Sequence, residues 1–346
     1  MMAKYTSSIS VLAAVAAAVA LAMPAFPQEQ HTAELSKVVR LNRAPVSNEA
    51  LKVTLPRPVI TKLANGLTVM VLERHKLPTV NIVLHFGTGD MSDPRDQAGL
   101  AQFTMEMLRE GTTHRSSGQL AADVEKIGAT LNSSSGFGST ASSVVASGLS
   151  PSTSQILDLI SDVVLNPTFP QDELEKYKAR QLSMLEQERS EPSTLADERF
   201  HRALYGDFPA AVTLATPESI NAITAERMKA FHERYLVPSN ALLAVVGDVN
   251  AGEFLKLASK SFGDWKGGVV PATDWSRLPP PTPTKIYLVD RPDSVQTNIV
   301  AGDYGARRTD ADYISLYVMN RVLGGGPQAR LFLNLREVHG YTYGAY

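Results

Sequence analysis

Gln102 and Glu106 stand four residues apart in a stretch, Gln97 to Thr112, whose other residues are largely apolar. Leu100, Phe103, Thr104, Met107 and Leu108 recur at helical spacing, so Leu100 to Leu108 reads as a helix with one mostly buried face. Residues at i and i+4 share a face, which is how two metal ligands are placed on one helix. Glutamine is a poor zinc ligand, however, and the residue between them, Met105, has no proton to exchange. The seven histidines, at 31, 75, 85, 114, 201, 232 and 339, include no pair at i, i+3 or i, i+4. His232-Glu233 opens like the zinc motif H-E-x-x-H but has Leu236 where the second His belongs. Catalytic zinc needs three protein ligands, and no local set supplies them. No cysteine is present, which excludes disulfides, thiolate zinc sites and cysteine nucleophiles. Taken alone, the stretch would also suit an ordinary amphipathic core helix.

The elements around this helix alternate between strand and helix. Thr61 to Leu72 reads as a hairpin turning at Asn65-Gly66, and Val80 to Phe86 as a second apolar strand. Gly111 ends the helix above. Ser116 and Gln119 form a capping box for a helix running to Ile127, stopped by Gly128. Ala129 to Gly148 has no helical period, and reads as two strands joined near Gly136-Phe137-Gly138. Helices follow over Pro151 to Leu165 and Pro170 to Arg189, then after Thr216-Pro217, over Ala225 to Tyr235 and over Phe254 to Phe262. Asn240 to Asp248 is a buried strand ending in a turn. Residues 267–284, with Gly267-Gly268 and Pro279-Pro280-Pro281, form a stiff Pro-rich linker.

Beyond the linker the pattern restarts. Leu288 to Arg291 repeats Val71 to Arg74, and Asn298 to Val300 repeats Asn81 to Val83; both lie 217 residues on (291 − 74 and 298 − 81). The helix at 100–108 then maps onto Ala311 to Leu323. Gly340 to Tyr343 resembles Gly128 to Leu131 at a shift of 212 (340 − 128), so Tyr346 corresponds to Ser134 and the second repeat is incomplete.

The frame Gly99-Leu100-Ala101, Phe103, Met107-Leu108 and Gly111-Thr112 resembles the motif helix of the insulinase/pitrilysin family of metallopeptidases, which includes the mitochondrial processing peptidases. Leu165 to Pro170, Ala203 to Gly206, Val245 to Asp248, Gly324 to Gly326 with Arg330 to Phe332, and Leu335 to Glu337 resemble further family landmarks, in family order, across Val59 to Tyr346. The resemblance implies an α+β fold of two homologous insulinase-type α/β-sandwich repeats: a first at 58–266 and a truncated second at 285–346. The family motif H-x-x-E-H binds zinc through its two His, and its Glu activates a water. Here those three positions hold Gln102, Met105 and Glu106, so the zinc motif is degenerate. The window for the third ligand, Gln181 to Met184, holds no carboxylate; Glu186 is the nearest and otherwise belongs to a solvated helix face.

The resemblance also implies substrate-binding groups. Arg336 and Tyr343, seven residues apart, match the family pair that holds the peptide and its transition-state oxyanion, and a cation and a phenol can both donate to that charge. A structural role would instead pair Arg336 with a helix acid and pack Tyr343 in the sheet. Leu131, Asn132, Ser133 and Ser134 match the edge strand to which the family adds an extended substrate; a plain edge strand with solvated serines is the alternative. Some bacterial members divide zinc and the Arg-Tyr pair between two chains, and this chain resembles the one without metal. The expectation is a non-catalytic subunit, with no cofactor of its own, that supplies Arg336 and Tyr343 to a zinc-bearing homologous partner during peptide hydrolysis. A structural core-protein-like subunit and a self-sufficient zinc peptidase with displaced ligands are the alternatives.

Composition agrees with an ordinary globular chain. Of 346 residues, 44% are hydrophobic and 20% charged, and the net charge of −2 without a basic run gives no footprint for nucleic acid. Lys4, the apolar run Val11 to Ala22 and Ala20-Leu21-Ala22 read as a secretory signal peptide over residues 1–25, followed by an N-terminal arm over 26–57. The run is short for a membrane span, although an uncleaved anchor is the alternative. Export to the periplasm or the medium is therefore expected, with no stable membrane span after cleavage.

Overall fold

A computed structural model of the chain describes residues 56–346, apart from 273, 275, 277 and 293. The expected signal peptide and all but the last two residues of the arm lie outside the described residues. Pro56 to Tyr346 forms one compact unit.

Six strands build a single sheet: β1 (Val59–Lys62), β2 (Thr68–Glu73), β3 (Thr79–Phe86), β4 (Thr130–Ser134), β5 (Ser142–Leu149) and β6 (Ala241–Gly247). Their order is β1-β2-β6-β3-β5-β4, with only the β2–β6 pair parallel. The β1–β2 turn is the expected one: Gly66 has φ 98°, and the Asn65 side chain donates to the carbonyl of Phe262 at 2.6 Å. Alternate residues of β2 to β6 are buried, among them Val69, Val71, Ile82, Leu84, Phe86, Val144, Leu243 and Val245. Helices cover that face alone, so the opposite face stays partly open.

The covering layer begins with α1 (Leu100–Met107) and α2 (Ser117–Lys126). It continues with α3 (Thr153–Leu165), α4 (Gln171–Ser190) and α5 (Pro192–Tyr205). The last elements of the first module are α6 (Pro217–Ala222), α7 (Ala225–Tyr235) and α8 (Ala251–Phe262). The capping box at Ser116 and Gln119 forms as expected, with the Ser116 amide donating to Gln119 Oε1 at 2.9 Å. Phe254, Phe262 and Trp265 close the core against Phe86, whose ring meets Trp265 edge-on at 6.1 Å. Burying a side chain of this size stabilises by roughly 1.5–3 kcal/mol, so the sheet–helix interface is the main source of stability.

The second half departs from expectation. Its helix forms, as α9 (Tyr313–Gly324), but the strands expected at 288–291 and 298–300 do not. In the first module β3 is held between β5 and β6, and no described residue beyond 304 offers strands to play those parts. The described residues between 285 and 304 run irregularly instead, leaving Ile286 and Leu288 94% and 90% exposed. They rest on α5: Tyr304 donates to the carbonyl of Leu204 at 2.8 Å, and the Arg199 guanidinium lies 4.1 Å from the Tyr287 ring centre. The Pro-rich segment likewise touches the first module, where Ser239 donates to the carbonyl of Gly268 at 2.8 Å. Among the described residues, no helix is long and apolar enough to cross a membrane.

Candidate substrate-binding site at the motif helix

Backbone chemistry sets the angle at which α1 leaves the sheet. Gly99 turns the chain with φ 98°, a left-handed conformation that costs a side-chain-bearing residue energy. The Asp93 carboxylate then accepts the amides of Gly99 at 2.8 Å and Ala101 at 2.9 Å, satisfying donors that the first turn leaves unpaired. Burial, followed by the nearby charge of Asp90, pushes the Asp93 carboxyl up to about 8. Asp90 is itself only 7% exposed and is raised by burial. Its Oδ1 accepts from Ser135 at 2.5 Å, while Oδ2 has no partner among the described residues.

The three motif positions point to different surroundings. Met105 is 0% exposed, within the core. Gln102 and Glu106 lie half-buried at the margin of the helix. Glu106 is held by Arg109, whose Nη2 sits 2.9 Å from its carboxylate. Arg109 Nε also donates to Ser133 on β4 at 3.1 Å, and Ser133 donates to the carbonyl of Met105 at 2.7 Å. Gln102 neighbours Tyr177 on α4. That ring packs edge-on against Phe103 at 4.6 Å, under the Arg180 guanidinium at 5.3 Å. Burial and then the Glu106 charge push the Tyr177 phenol well above its ordinary range.

An amide, a phenol and a carboxylate neutralised by a guanidinium do not make a zinc donor set. The third-ligand window adds none: Gln181 lies 3.9 Å from the Met184 sulfur, and Glu186 is exposed on the surface of α4. Among the described residues no cluster of three His, Cys, Asp or Glu could hold a metal ion.

Among the described residues β4 is an edge strand, paired only with β5, so its outer main-chain groups have no strand partner there. Leu131 and Ser133 turn inward toward the helices; Asn132 and Ser134 face the open side of the sheet. The motif helix and this strand are therefore joined directly, through Ser133. Arg336 and Tyr343 are not brought to them by any contact in the described residues. Arg336 lies in a π-helical turn, Leu333–Val338, with its guanidinium 4.8 Å from the Phe332 ring centre and Nε 3.7 Å from Glu337. Tyr343 is 86% exposed rather than packed in a sheet.

Sequence reasoning passed over Asp90, Asp93, Arg109, Tyr177 and Arg180. Asp93 carried a usable signal, as an acid shortly before a glycine-initiated helix. Tyr177 carried a weaker one, a single turn ahead of the third-ligand window.

Two family models match the chain. Residues 68–218 match the insulinase model of peptidase family M16, and residues 222–346 match the model described as the peptidase M16 inactive domain. An uncharacterized zinc protease of Mycobacterium leprae is 27% identical over 291 residues, covering 83% of this chain and 64% of that protein. An uncharacterized zinc protease of Bacillus subtilis is 24% identical, covering 82% of this chain and 68% of its own length. The chain thus spans about two thirds of these relatives, 64% of the first. The structure resembles a peptidase M16 inactive domain from Pseudomonas fluorescens with a TM-score of 0.71 and 27% identity, over 84% of this chain and 70% of that one. It shares its fold with a protease from Helicobacter pylori at a TM-score of 0.69 and 20% identity, over 84% and 71%. With models of one family matching both parts of the sequence, and the motif-helix frame standing where that family keeps it, the chain belongs to the insulinase family of peptidases.

Proposed function

We propose that this chain is the non-catalytic subunit of an exported insulinase-family peptidase, pairing with a zinc-bearing homologue and holding extended peptide on the outer edge of β4. One observation carries the reading: the motif helix is intact and tied to an open edge strand, while Gln102, Met105 and Glu106 cannot hold or use zinc. Metal and the activated water belong to the partner. This chain contributes main-chain hydrogen bonds along Leu131 to Ser134, which capture peptide with little regard to sequence. Arg336 and Tyr343 donate N–H and O–H groups to the oxyanion that develops at the scissile carbonyl. The likeness to a domain described as inactive supports this division.

The test is to assay the chain alone, an H-x-x-E-H homologue alone, and their mixture. The expected result is no stoichiometric zinc and no hydrolysis for this chain, peptide binding by it, and hydrolysis by the mixture well above the homologue alone. Close to one zinc per isolated chain, lost on Glu106→Gln, would instead establish a self-sufficient peptidase. The contacts of Arg336 with Glu337 and Phe332 favour a second reading, a structural core-protein-like subunit; a mixture no more active than the homologue alone would support it.

Export rests on the signal-peptide pattern at residues 1–25. Protein recovered from the periplasm or medium is expected to begin after Ala22 or Ala25. N-terminal sequencing that finds Met1 on a cytoplasmic protein would refute export.

A further inference from the structure

Paired on one side only among the described residues, β4 depends on what lies beneath it. It turns two side chains toward the helices, Leu131 and Ser133, which are 9% and 2% exposed. Leu131 makes apolar contact, which is non-directional and lets a strand slide. Ser133 is hydrogen-bonded instead, and hydrogen bonds fix direction as well as distance. Its hydroxyl donates to the carbonyl of Met105 at 2.7 Å and accepts from Arg109 Nε at 3.1 Å. Having given its one proton to Met105, the hydroxyl keeps lone pairs for the guanidinium.

These two bonds close a circuit with α1. Met105 and Glu106 are consecutive in that helix, and Glu106 holds Arg109 Nη2 at 2.9 Å. Met105 lies in the last turn, where carbonyls lack an amide four residues on. Its carbonyl accepts the Leu108 amide at 3.2 Å and the shorter bond from Ser133. A cation just past the last turn also suits the negative end of the helix dipole. Among the described residues Arg109 is the one ion-pair partner of Glu106. The acid at the second His position of the degenerate motif therefore has a task other than metal: it fixes the guanidinium, and the guanidinium fixes Ser133. Two residues on, Ser135 donates to Asp90, so the end of β4 is held on both sides of Ser134.

Resting on the reading of β4 as the peptide-holding edge, we infer that Arg109 is a positioning residue for peptide capture: with Glu106 it clamps Ser133 to α1 and so fixes the main-chain groups of β4 to which the peptide pairs. Strand addition needs several consecutive N–H and C=O groups in register at once. Without the clamp those groups would have to be ordered as the peptide arrives, which lowers affinity. Arg109 acts through Ser133 and need not touch the peptide. Its planar fork spans Glu106 and Ser133 at fixed angles, which the point charge of a lysine does not. A glutamine at 106 would keep an oxygen for the guanidinium, so the circuit would still close.

The full chain would be titrated with one labelled extended peptide, each variant first shown to be folded by its urea unfolding curve. Arg109→Met, which keeps the apolar stem and removes the guanidinium, is expected to weaken binding about tenfold, or about 1.4 kcal/mol. Ser133→Ala should do the same, and supplies the readout if Arg109→Met folds poorly. The double variant should bind within about twofold of either single one, because Arg109 acts through Ser133. Glu106→Ala should fall with Arg109→Met, while Glu106→Gln stays within about threefold of the parent. A merely structural role would lower the urea midpoint and leave the affinity of the folded chain where it was. That outcome, or a double variant about a hundredfold weaker than the parent, would overturn the clamp and leave the edge-strand reading standing. No peptide binding by the parent chain would overturn both.

Discussion

Tyr343→Phe is expected to lower peptide turnover by the assembled complex about 10²–10³-fold, the usual loss for one oxyanion donor. The substitution keeps the ring and removes a single O–H. Tyr343 is 86% exposed and makes no ring contact among the described residues, so the change has no packing to disturb. Assembly and peptide affinity should hold, because the β4 edge is far in sequence and untouched. The loss should fall on kcat with KM little changed, as when an interaction made only in the transition state is removed. Turnover within about twofold of the parent, far from the loss of a donor, would place Tyr343 outside the chemistry.

Arg336 makes the companion case. Its guanidinium is already engaged by the Phe332 ring and loosely by Glu337, both on its own turn of chain. To serve an oxyanion in the complex it must turn away from Glu337, a surface pair worth at most about 1 kcal/mol. That cost is small beside the several kcal/mol an oxyanion contact supplies. The described geometry is thus compatible with recruitment of Arg336 when the substrate is enclosed.

Much of the first module was legible because its signals are local. The α1 helix follows from the spacing of Leu100, Phe103, Thr104 and Met107, all buried. The β4–β5 pair follows from the absence of helical period around Gly136 and Gly138. Helix α5 was not legible. Glu191, with φ −85° and ψ 122°, breaks the long charged helix, and Pro192 then starts a new one in which no residue is fully buried. A helix without a buried stripe has no apolar period to read. The 288–291 and 298–300 segments show the opposite failure. Their sequences repeat β2 and β3, yet a strand forms only where a neighbour accepts its hydrogen bonds. At the site, Gln102, Met105 and Glu106 were legible from their frame, since the motif is contiguous. Their partners were not: Arg109 reaches Ser133 across 24 residues, and Tyr177 comes from another helix. Only the fold makes those neighbours.

Asp162→Ala is expected to destabilise the folded chain by about 2–4 kcal/mol in urea unfolding, below the 3–5 typical of a broken buried ion pair. Asp162, on α3, is 5% exposed and is the hub of the loop that joins α1 to α2. Its Oδ2 accepts Thr112 Oγ1 at 2.8 Å and Arg115 Nη1 at 2.6 Å; its Oδ1 meets His114 Nδ1 at 2.6 Å and Asn166 at 3.1 Å. Arg115 would keep Asp158 at 2.8 Å and Asp123 at 3.0 Å, and being partly exposed it would not be stranded. That retention is the reason for the reduced figure. Burial alone would raise the Asp162 carboxyl, but the hydrogen bonds from His114, Thr112, Arg115 and Asn166 outweigh it and hold the group below its ordinary 3.8. The folded state therefore binds this proton less readily than the unfolded state does. The resulting stabilisation is complete above the unfolded value of 3.8 and is lost as pH falls through the lower folded one. Asp162→Asn, which keeps the shape and removes the charge, should accordingly cost most near neutrality and approach the parent as the medium is acidified. A parent–Asn difference that stays constant from pH 7 down to about 3 would mean that charge is not what holds the loop. Because that loop starts immediately after Arg109 and Glu110, its loosening should also free the C-terminal end of α1. Hydrogen exchange should then rise at Met107 and Leu108 before it rises in the sheet.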